Sequence, residues 1–225
     1  QGSGIDVSAL DDSQALVTAR QELKVVDNLV TGLPDEKGLG IQAGSRYQIT
    51  TLGIWAFAII SSPTVRAAIE VGLRYVDVSH ALACYDFVET DAGAEIRIDV
   101  SHIPTRLRTF VIERQLLTSL LLMREMMGEE TVRVQAVYLT LDELPLPASM
   151  SILQSTEVHL GAAENRLVLD RVRLDQPVPK ANASTAAFCV QQCEQLLDKQ
   201  HAESGFAGEV RSLLLQEIDA MPSLD

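Results

Sequence analysis

A stretch of helix without a polar face constrains this chain more than any other feature. Pro104 precedes a helix predicted from Arg106 to Met127, and its middle, Leu116 to Met123, is apolar almost all round. A helix that is apolar on every side has no face for water, so it has to lie between other elements. Gly128 is the kind of residue at which such a helix ends. The chain therefore predicts a buried helix covered by other elements.

Other segments carry apolar residues at helical spacing. Ser13 is a candidate N-cap for the first of them. Ser62 is a good N-cap for another, and Pro63 suits the first helical position that follows it. We therefore expect a mainly helical framework around the central helix. The further helices predicted are 13–30, 63–79, 184–200 and 206–220, with a short one at 145–153.

A second period, of two residues, appears between Ala94 and Ser101, where apolar and charged side chains alternate. This alternation is typical of a strand with one wet face. The segment from Ala83 to Thr90 precedes it across a turn, which predicts a β-hairpin. Together these patterns predict an α+β fold in which helices pack on an antiparallel or mixed sheet of about five strands. The other predicted strands are 132–141, 156–160 and 166–169.

Net charge excludes one class of function. The 225 residues carry a formal charge of −13, and the longest basic cluster is Arg106-Leu107-Arg108. Affinity for DNA comes largely from Lys and Arg that neutralise phosphates. We therefore expect this chain not to bind nucleic acid by itself. Three cysteines give no disulfide framework, and no apolar run is long enough for a membrane helix, so we expect a cytoplasmic protein.

The sequence offers no constellation for catalysis, a metal or a cofactor. Cys189 and Cys193 lie four residues apart without a second pair, which a zinc site would need. Cys84 follows His80 by four residues, but no Gly-x-Ser-x-Gly motif occurs. The glycines of the segment 38–44 are not followed by the Lys-Ser or Lys-Thr of a phosphate-binding loop. We therefore expect a chain that is not an enzyme and uses neither metal nor cofactor.

Large or polar side chains within apolar surroundings are the candidates for a small-molecule pocket. Each could instead serve ordinary packing, with Tyr hydroxyls bonded to the backbone. Arg114 could grip a carboxylate or a phosphate on a ligand, or it could form a structural ion pair. An apolar lining with one cation would favour an aliphatic or aromatic acid, such as a fatty acid. Ser61 could contact a ligand or help to start a helix. The candidate ligand-binding residues are Tyr47, Trp55, Phe57, Ser61, Tyr75, Tyr85, Glu113, Arg114 and Tyr138.

Two segments resemble a known family. Residues 53–75 read Gly-Ile-Trp-Ala-Phe-Ala-Ile-Ile-Ser-Ser-Pro-Thr-Val and continue to Arg74-Tyr75. This run strongly resembles the N-terminal domain of AraC/XylS-type regulators, of the type called arabinose-binding domain of AraC. The segments 165–171 and 174–179 resemble the tail of the same domain. The resemblance covers residues 13–200.

The resemblance implies an effector-sensing and dimerising domain of a bacterial transcription regulator. Residues 206–225 resemble the start of the family's helix-turn-helix domain, so DNA would be bound only through a C-terminal domain that this chain lacks. The periodicities predict too many helices for the cupin-like barrel of the sugar-sensing founder. The alternative function is a homodimerisation or protein-docking module without a ligand, with helix 184–200 at its interface. The expected division is 1–12 as a tag or disordered start, 13–200 as the sensor, and 201–225 as linker and first helix of the next domain.

Overall fold

The apolar central helix, α5, runs from Thr105 to Met127. The computed structural model describes residues 2–6, 8, 17–79, 81–90, 93–127, 134–146, 153 and 156–204. From Phe110 to Thr118 every residue of α5 is buried, including four that are polar or charged. The prediction of a central helix enclosed by other elements is therefore confirmed, while Gly128 lies outside the described residues.

Five further α-helices surround α5 in the described part of the chain. Thr18 caps the first of them, because its side chain accepts the backbone N–H of Gln21 while the Gln21 side chain accepts the N–H of Thr18. This reciprocal pair satisfies two N–H groups that the first helical turn leaves free. The predicted cap Ser13 and the predicted helix 206–220 lie outside the described residues. The helices are α1 (Ala19–Gly32), α2 (Leu39–Gly44), α3 (Gly53–Ile60), α4 (Val65–Arg74) and α6 (Ala183–Ser204).

The predicted start of α4 at Ser62 and Pro63 is wrong. Thr64 is the N-cap, and its hydroxyl accepts the N–H of Ala67 at 3.2 Å. Ser62 instead donates its hydroxyl to the carbonyl of Ala58, inside α3. The residues just before α4 are extended, because their backbone pairs with residues 176–178. This long-range pairing competes with the local preference for a helix at Pro63 and delays the helix by two residues.

Five strands form one mixed sheet in the order β1-β2-β5-β3-β4. All neighbours are antiparallel except β3 and β4, which run parallel. The hairpin of β1 and β2 matches the predicted one to within two residues at each end. The sheet is not closed into a barrel, so the predicted α+β class is confirmed. The strands are β1 (Cys84–Thr90), β2 (Gly93–Asp99), β3 (Val134–Tyr138), β4 (Glu157–His159) and β5 (Asn165–Leu169).

The two faces of the sheet differ as the alternation in β2 predicts. Ile96, Ile98 and Leu167 are buried on the inner face, which belongs to the hydrophobic core that also contains α5. Arg97 and Arg166 pair across β2 and β5 on the outer face, which is partly exposed.

The remaining helices hold the framework together. α2 packs closely on α5, and α6 packs on α3. Tyr75, at the end of α4, donates its hydroxyl to Oε1 of Glu194 in α6 at 2.8 Å, which ties these two helices. Within the described residues, none of the helices combines the length and apolarity that a membrane crossing requires.

Candidate ligand-binding pocket

A pocket lies among α3, α4, α5 and the β1–β2 hairpin. The empty space among these residues is about 700 Å³, a volume that includes open solvent. Its lining is mostly apolar and includes no charged side chain among the described residues. The lining residues are Tyr47, Leu52, Trp55, Ile59, Ala68, Ile69, Gly72, Leu73, Val76, Ser79, Ala81, Tyr85, Ile96, Gln115, Thr118, Ser119, Leu122, Met123 and Met126.

Three polar side chains in the lining already have partners in the protein. Trp55 donates its indole N–H to the carbonyl of Gly72 at 3.0 Å. Thr118 donates its hydroxyl to the carbonyl of Arg114, one turn earlier in α5. Ser79 donates its hydroxyl to the carbonyl of Val76. These bonds use the donors that each group has, so they shape the wall of the pocket more than they recognise a ligand.

Tyr85 enters the pocket from β1. Its hydroxyl is hydrogen-bonded to the side chain of Ser119 on α5. Burial raises the pKa of Tyr85 to about 12, although the bond to Ser119 and the charge of Arg114 act in the opposite direction. The phenol therefore stays neutral at physiological pH, and it adds no charge to the pocket.

Gln115 differs from the other polar residues of the lining. It is 2% exposed, lies on α5 and borders the pocket. None of the described residues forms a hydrogen bond with its carboxamide. A buried amide offers two N–H donors and one carbonyl acceptor, and most such groups in proteins are bonded. The pocket thus contains an amide whose hydrogen-bonding capacity the protein leaves unused.

Glu113 precedes Gln115 by two residues but faces away from the pocket. Its carboxylate accepts the N–H of Gly40 at 2.9 Å and also the N–H of Ile41, at the first turn of α2. Burial raises the pKa of Glu113 above its ordinary value, while these two bonds lower it. The carboxylate is therefore a cap that holds α2 on α5.

Arg114 is also turned away from the pocket. Its Nη1 donates to Oε1 of Glu22 on α1 at 2.5 Å, and its guanidinium lies 5.8 Å from the centre of the Phe110 ring. Of the two alternatives that the sequence left open, the structure therefore presents the structural ion pair. In this arrangement Arg114 does not reach a ligand in the pocket.

Four other predicted residues lie outside the pocket lining. Tyr75 is buried between α4 and α6, and Phe57 is exposed on α3. Ser61 is buried, and its carbonyl accepts the N–H of Asn182. Tyr138 is on the outer face of the sheet, where it stacks on His159 with ring centres 4.4 Å apart. Of the nine predicted residues, the structure brings Tyr47, Trp55 and Tyr85 to the pocket.

The polar residues that α5 contributes to the lining were not among the predicted ones. Gln115, Thr118 and Ser119 interrupt or adjoin an otherwise apolar helix, and that interruption is the signal that could have found them. Met123 and Met126 look like ordinary core residues in the sequence, so nothing local distinguishes them. A helix that is buried on all sides does not reveal which of its faces borders a cavity.

The thiols and imidazoles form no metal centre within the described residues. Cys189 and Cys193 are buried in α6, and burial raises the pKa of both, that of Cys193 to about 11. Such thiols stay protonated at physiological pH, which makes them poor nucleophiles. They therefore pack as small apolar residues, as the sequence indicated.

Comparisons with known proteins agree on a family. The description "Arabinose-binding domain of AraC transcription regulator, N-term" matches residues 1–178. Uncharacterized HTH-type transcriptional regulators of Mycobacterium bovis and Mycobacterium tuberculosis are each 30% identical over 226 residues, which is 99% of this chain and 65% of theirs. The ornithine utilization regulator of Pseudomonas aeruginosa is 30% identical over 197 residues, covering 84% of this chain and 56% of that protein.

A solved structure has a similar fold. The crystal structure of the transcriptional regulator CdpR from Pseudomonas aeruginosa matches with a TM-score of 0.57 at 14% sequence identity. The match covers 94% of this chain and 74% of that one. The present chain thus spans about two thirds of the mycobacterial relatives' length and three quarters of that crystallised chain.

Proposed function

Because the chain belongs to the family of N-terminal arabinose-binding-type domains of AraC transcription regulators, we propose that it senses a small-molecule effector for a DNA-binding domain of the same protein. The family is one of regulators, so the chain is the N-terminal regulatory part of such a protein and not an enzyme. The resemblance that residues 53–75 carry is thereby confirmed. In a bacterium such a regulator meets DNA in the cytoplasm, and we propose that location.

The observation that carries the proposal is the pocket. It lies at the junction of three helices and the hairpin, and its apolar lining surrounds a few polar groups. This composition is typical of sites that bury most of a small ligand. The described lining residues do not bring a nucleophile, a base and an orienting group together, whereas they provide an apolar enclosure for a ligand. The bound molecule would be small and largely apolar.

Binding has to change something that the DNA-binding domain can detect. An effector shifts a population only if it binds one conformation more tightly than another. α5 borders the pocket through Gln115 and contacts α1 and α2 through Arg114 and Glu113. A ligand that favours one position of α5 would therefore also favour one arrangement of these two helices. We propose α5 as the element through which occupancy is transmitted.

The ligand class suggested by the sequence needs revision in this proposal. An organic acid was favoured because Arg114 could hold its carboxylate, but Arg114 pairs with Glu22 outside the pocket. Burying a carboxylate beside apolar residues without a cation is unfavourable. The name of one relative refers to ornithine utilization, yet none of the described lining residues offers a charged group for an amino acid. We therefore propose an uncharged effector.

A thermal-shift screen tests the function. Uncharged aromatic and aliphatic molecules should raise the melting temperature of the protein, since a ligand that binds only the folded state stabilises it. Fatty acids and ornithine should raise it less. Ala81→Leu places a larger side chain in the lining and should abolish the shift. Ala67→Leu, a matched change on α4 outside the lining, should preserve it, and equal loss in both variants would contradict the assignment of the pocket.

A second candidate function, self-association, has support from α6. Phe188 is 56% exposed, and Leu196 lies eight residues later on the same face and is also exposed. Exposed apolar residues that share a face are typical of contact surfaces. We propose that a second copy of the chain covers this face. Phe188→Glu should then shift sedimentation to the monomer, whereas Val172→Glu, at an apolar residue 79% exposed elsewhere, should not.

A further inference from the structure

Gln115 is the polar residue of the pocket that lacks a role in the protein. The side chains of Trp55, Thr118 and Ser79 bond to backbone carbonyls, and Tyr85 bonds to Ser119. The carboxamide of Gln115 has no such partner in the described part of the chain, although the residue is almost fully buried. The amide atoms of Gln115 are not among the polar atoms that the described structure seals off without a partner, so the carboxamide has access to the pocket.

We propose that Gln115 determines the specificity of the pocket, and that the effector is an uncharged, mainly apolar molecule with a carbonyl, hydroxyl or amide group that bonds to its carboxamide. This inference rests on the proposed function, since it requires that the pocket binds a ligand. It adds the chemical class of the ligand and the atoms that recognise it.

Two properties of the lining determine the chemistry of the part of the ligand that Gln115 does not bind. No charged side chain lines the pocket among the described residues, and Tyr85 remains protonated, so a charged group would lose its hydration without an ionic partner. Trp55, Met123 and Met126 form part of the apolar wall, and methionine sulfur makes favourable contacts with aromatic rings. An aromatic or alicyclic body with one neutral polar group meets both conditions.

A set of three probes of similar shape tests the inference. They are 2-naphthamide, 2-methylnaphthalene and 2-naphthoate, which share a ring system and carry an amide, a methyl group and a carboxylate. Isothermal titration calorimetry gives the dissociation constant of each probe for the wild type and for Gln115→Leu. The quantity that matters is the ratio of the dissociation constants of the amide and methyl probes, because it cancels general changes in the pocket.

We expect the Gln115→Leu change to shift this ratio about tenfold against the amide, because two hydrogen bonds to the carboxamide disappear. The methyl probe should bind the variant as tightly as the wild type, or more tightly. The naphthoate should bind the wild type at least tenfold more weakly than the amide. Gln42→Leu is the matched control, since it makes the same change at an exposed residue of α2 outside the lining, and it should leave the ratio unchanged.

The outcomes separate the inference from the function it rests on. If 2-methylnaphthalene binds and the ratio is the same in the wild type and Gln115→Leu, the role of Gln115 is wrong and the pocket still binds ligands. If the naphthoate binds as tightly as the amide, the uncharged class is wrong. If none of the probes binds the wild type, the inference and the pocket's proposed function fail together. If Leu at this position prevents folding, the measurement is repeated with Gln115→Met, because Met is unbranched like Gln.

Discussion

The two sides of α5 show opposite solutions to burying polar groups. On the side toward α1 and α2, here called the joint face and defined by Phe110, Glu113, Arg114 and Leu117, the charges are bonded to protein groups. On the side toward the pocket, the buried amide of Gln115 has no bond to any described residue, and space adjoins it. One helix thus combines a closely fitted face with a face that leaves room for a guest.

The difference between these two faces of α5 indicates how a bound molecule could affect a distant part of the protein. Interiors packed at high density move as units, because small shifts of one element displace its neighbours. The joint face has this property, since α2 approaches α5 so closely that a Cβ atom would overlap with α5 at Gly40 and make a tight contact with it at Gly44. A ligand that contacts the opposite face would therefore move α5, α1 and α2 together. The predictions below test whether the two faces are as distinct as this picture requires.

The largest expected loss of stability comes from adding a side chain at the close contact between α2 and α5. A Cβ atom on Gly40 would overlap with the carbonyl oxygen of Phe110 and lie 2.7 Å from Cβ of Glu113. Because backbone and Cβ atoms cannot move aside independently, Gly40→Ala should lower the free energy of unfolding by about 3 kcal/mol or more. Urea denaturation followed by circular dichroism measures this change.

Two further glycines provide a graded control. Gly44→Ala should cost less, about 1 to 2 kcal/mol, because its new Cβ would be 3.0 Å from a side-chain atom of Leu117 and 3.1 Å from the carbonyl oxygen of Arg114. Gly32→Ala meets nothing within 4 Å at the end of α1, so it should change stability by less than about 1 kcal/mol. Equal costs at all three positions would show that α2 does not rest on a closely fitted face.

The contact between α2 and α5 also shows what the sequence can and cannot predict about the fold. Local periodicity located α5 to within one residue at its start, and alternation located the β1–β2 hairpin. It could not show that β4 runs parallel to β3 or that α2 lies on α5, because both depend on contacts between distant segments. The start of α4 was missed for the same reason, since pairing with residues 176–178 outweighed the capping preference of Ser62.

The candidate site was less predictable than the fold. Aromatic residues in apolar surroundings pointed to Trp55, Tyr47 and Tyr85, which line the pocket, but the same rule selected Tyr75, which packs against α6. Residue type alone cannot distinguish a buried phenol beside a cavity from one bonded to a neighbouring helix. Along α5 the sequence suggested Arg114, although its neighbour Gln115 borders the pocket. Adjacent helical residues point about 100° apart, so only the packing around α5 decides between them.

A smaller effect should follow from breaking the ion pair of the joint face. The Arg114 side chain is 4% exposed and that of Glu22 is 29% exposed, so removing the carboxylate leaves a buried cation, whereas removing the guanidinium leaves a carboxylate that water can reach. Glu22→Gln should therefore cost about 2 kcal/mol and Arg114→Met about 1 kcal/mol. Thermal and urea unfolding give both values.

The same two variants sharpen the contrast between the faces. If Arg114 belongs to the joint face alone, neither substitution should change the affinity for 2-naphthamide by more than about twofold once the protein is folded. A loss of binding in Arg114→Met with binding retained in Glu22→Gln would instead place the guanidinium among the ligand contacts, as the sequence first suggested.

On the pocket side of α5, removing the hydrogen bond between Tyr85 and Ser119 should cause a smaller loss of stability. Ser119→Ala removes the partner of a buried hydroxyl and should cost about 1 kcal/mol, because the phenol then has to be buried unbonded. Tyr85→Phe removes the hydroxyl itself and should cost less. The double variant should be no less stable than Ser119→Ala alone, since there is then no buried phenol to satisfy. A double variant whose cost equals the sum of the two single costs would mean that the hydroxyls are not coupled.

The smallest effect concerns pH, and it distinguishes two carboxylates on the α1 and α2 side of α5. Burial raises the pKa of Glu113 above its ordinary value of 4.5, so the folded state holds this proton more tightly than the unfolded state. The stability that this group contributes is complete below pH 4.5 and is lost as pH rises through the folded value. The bonds with Arg106 and Lys24 lower the pKa of Asp27 to about 2, so its contribution is complete above its ordinary value of 3.8 and is lost as pH falls.

Measured against Glu113→Gln, the wild type should therefore lose relative stability as pH rises from 4 to 7. Measured against Asp27→Asn, it should gain relative stability as pH rises from 2 to 4. Urea unfolding of the three proteins over this pH range gives both differences, and the opposite signs make each variant a control for the other. A difference for Glu113→Gln that rises with pH would mean that the bonds from Gly40 and Ile41 outweigh burial. The first turn of α2 would then stabilise the charged carboxylate, just as the joint face holds the ion pair of Arg114 and Glu22.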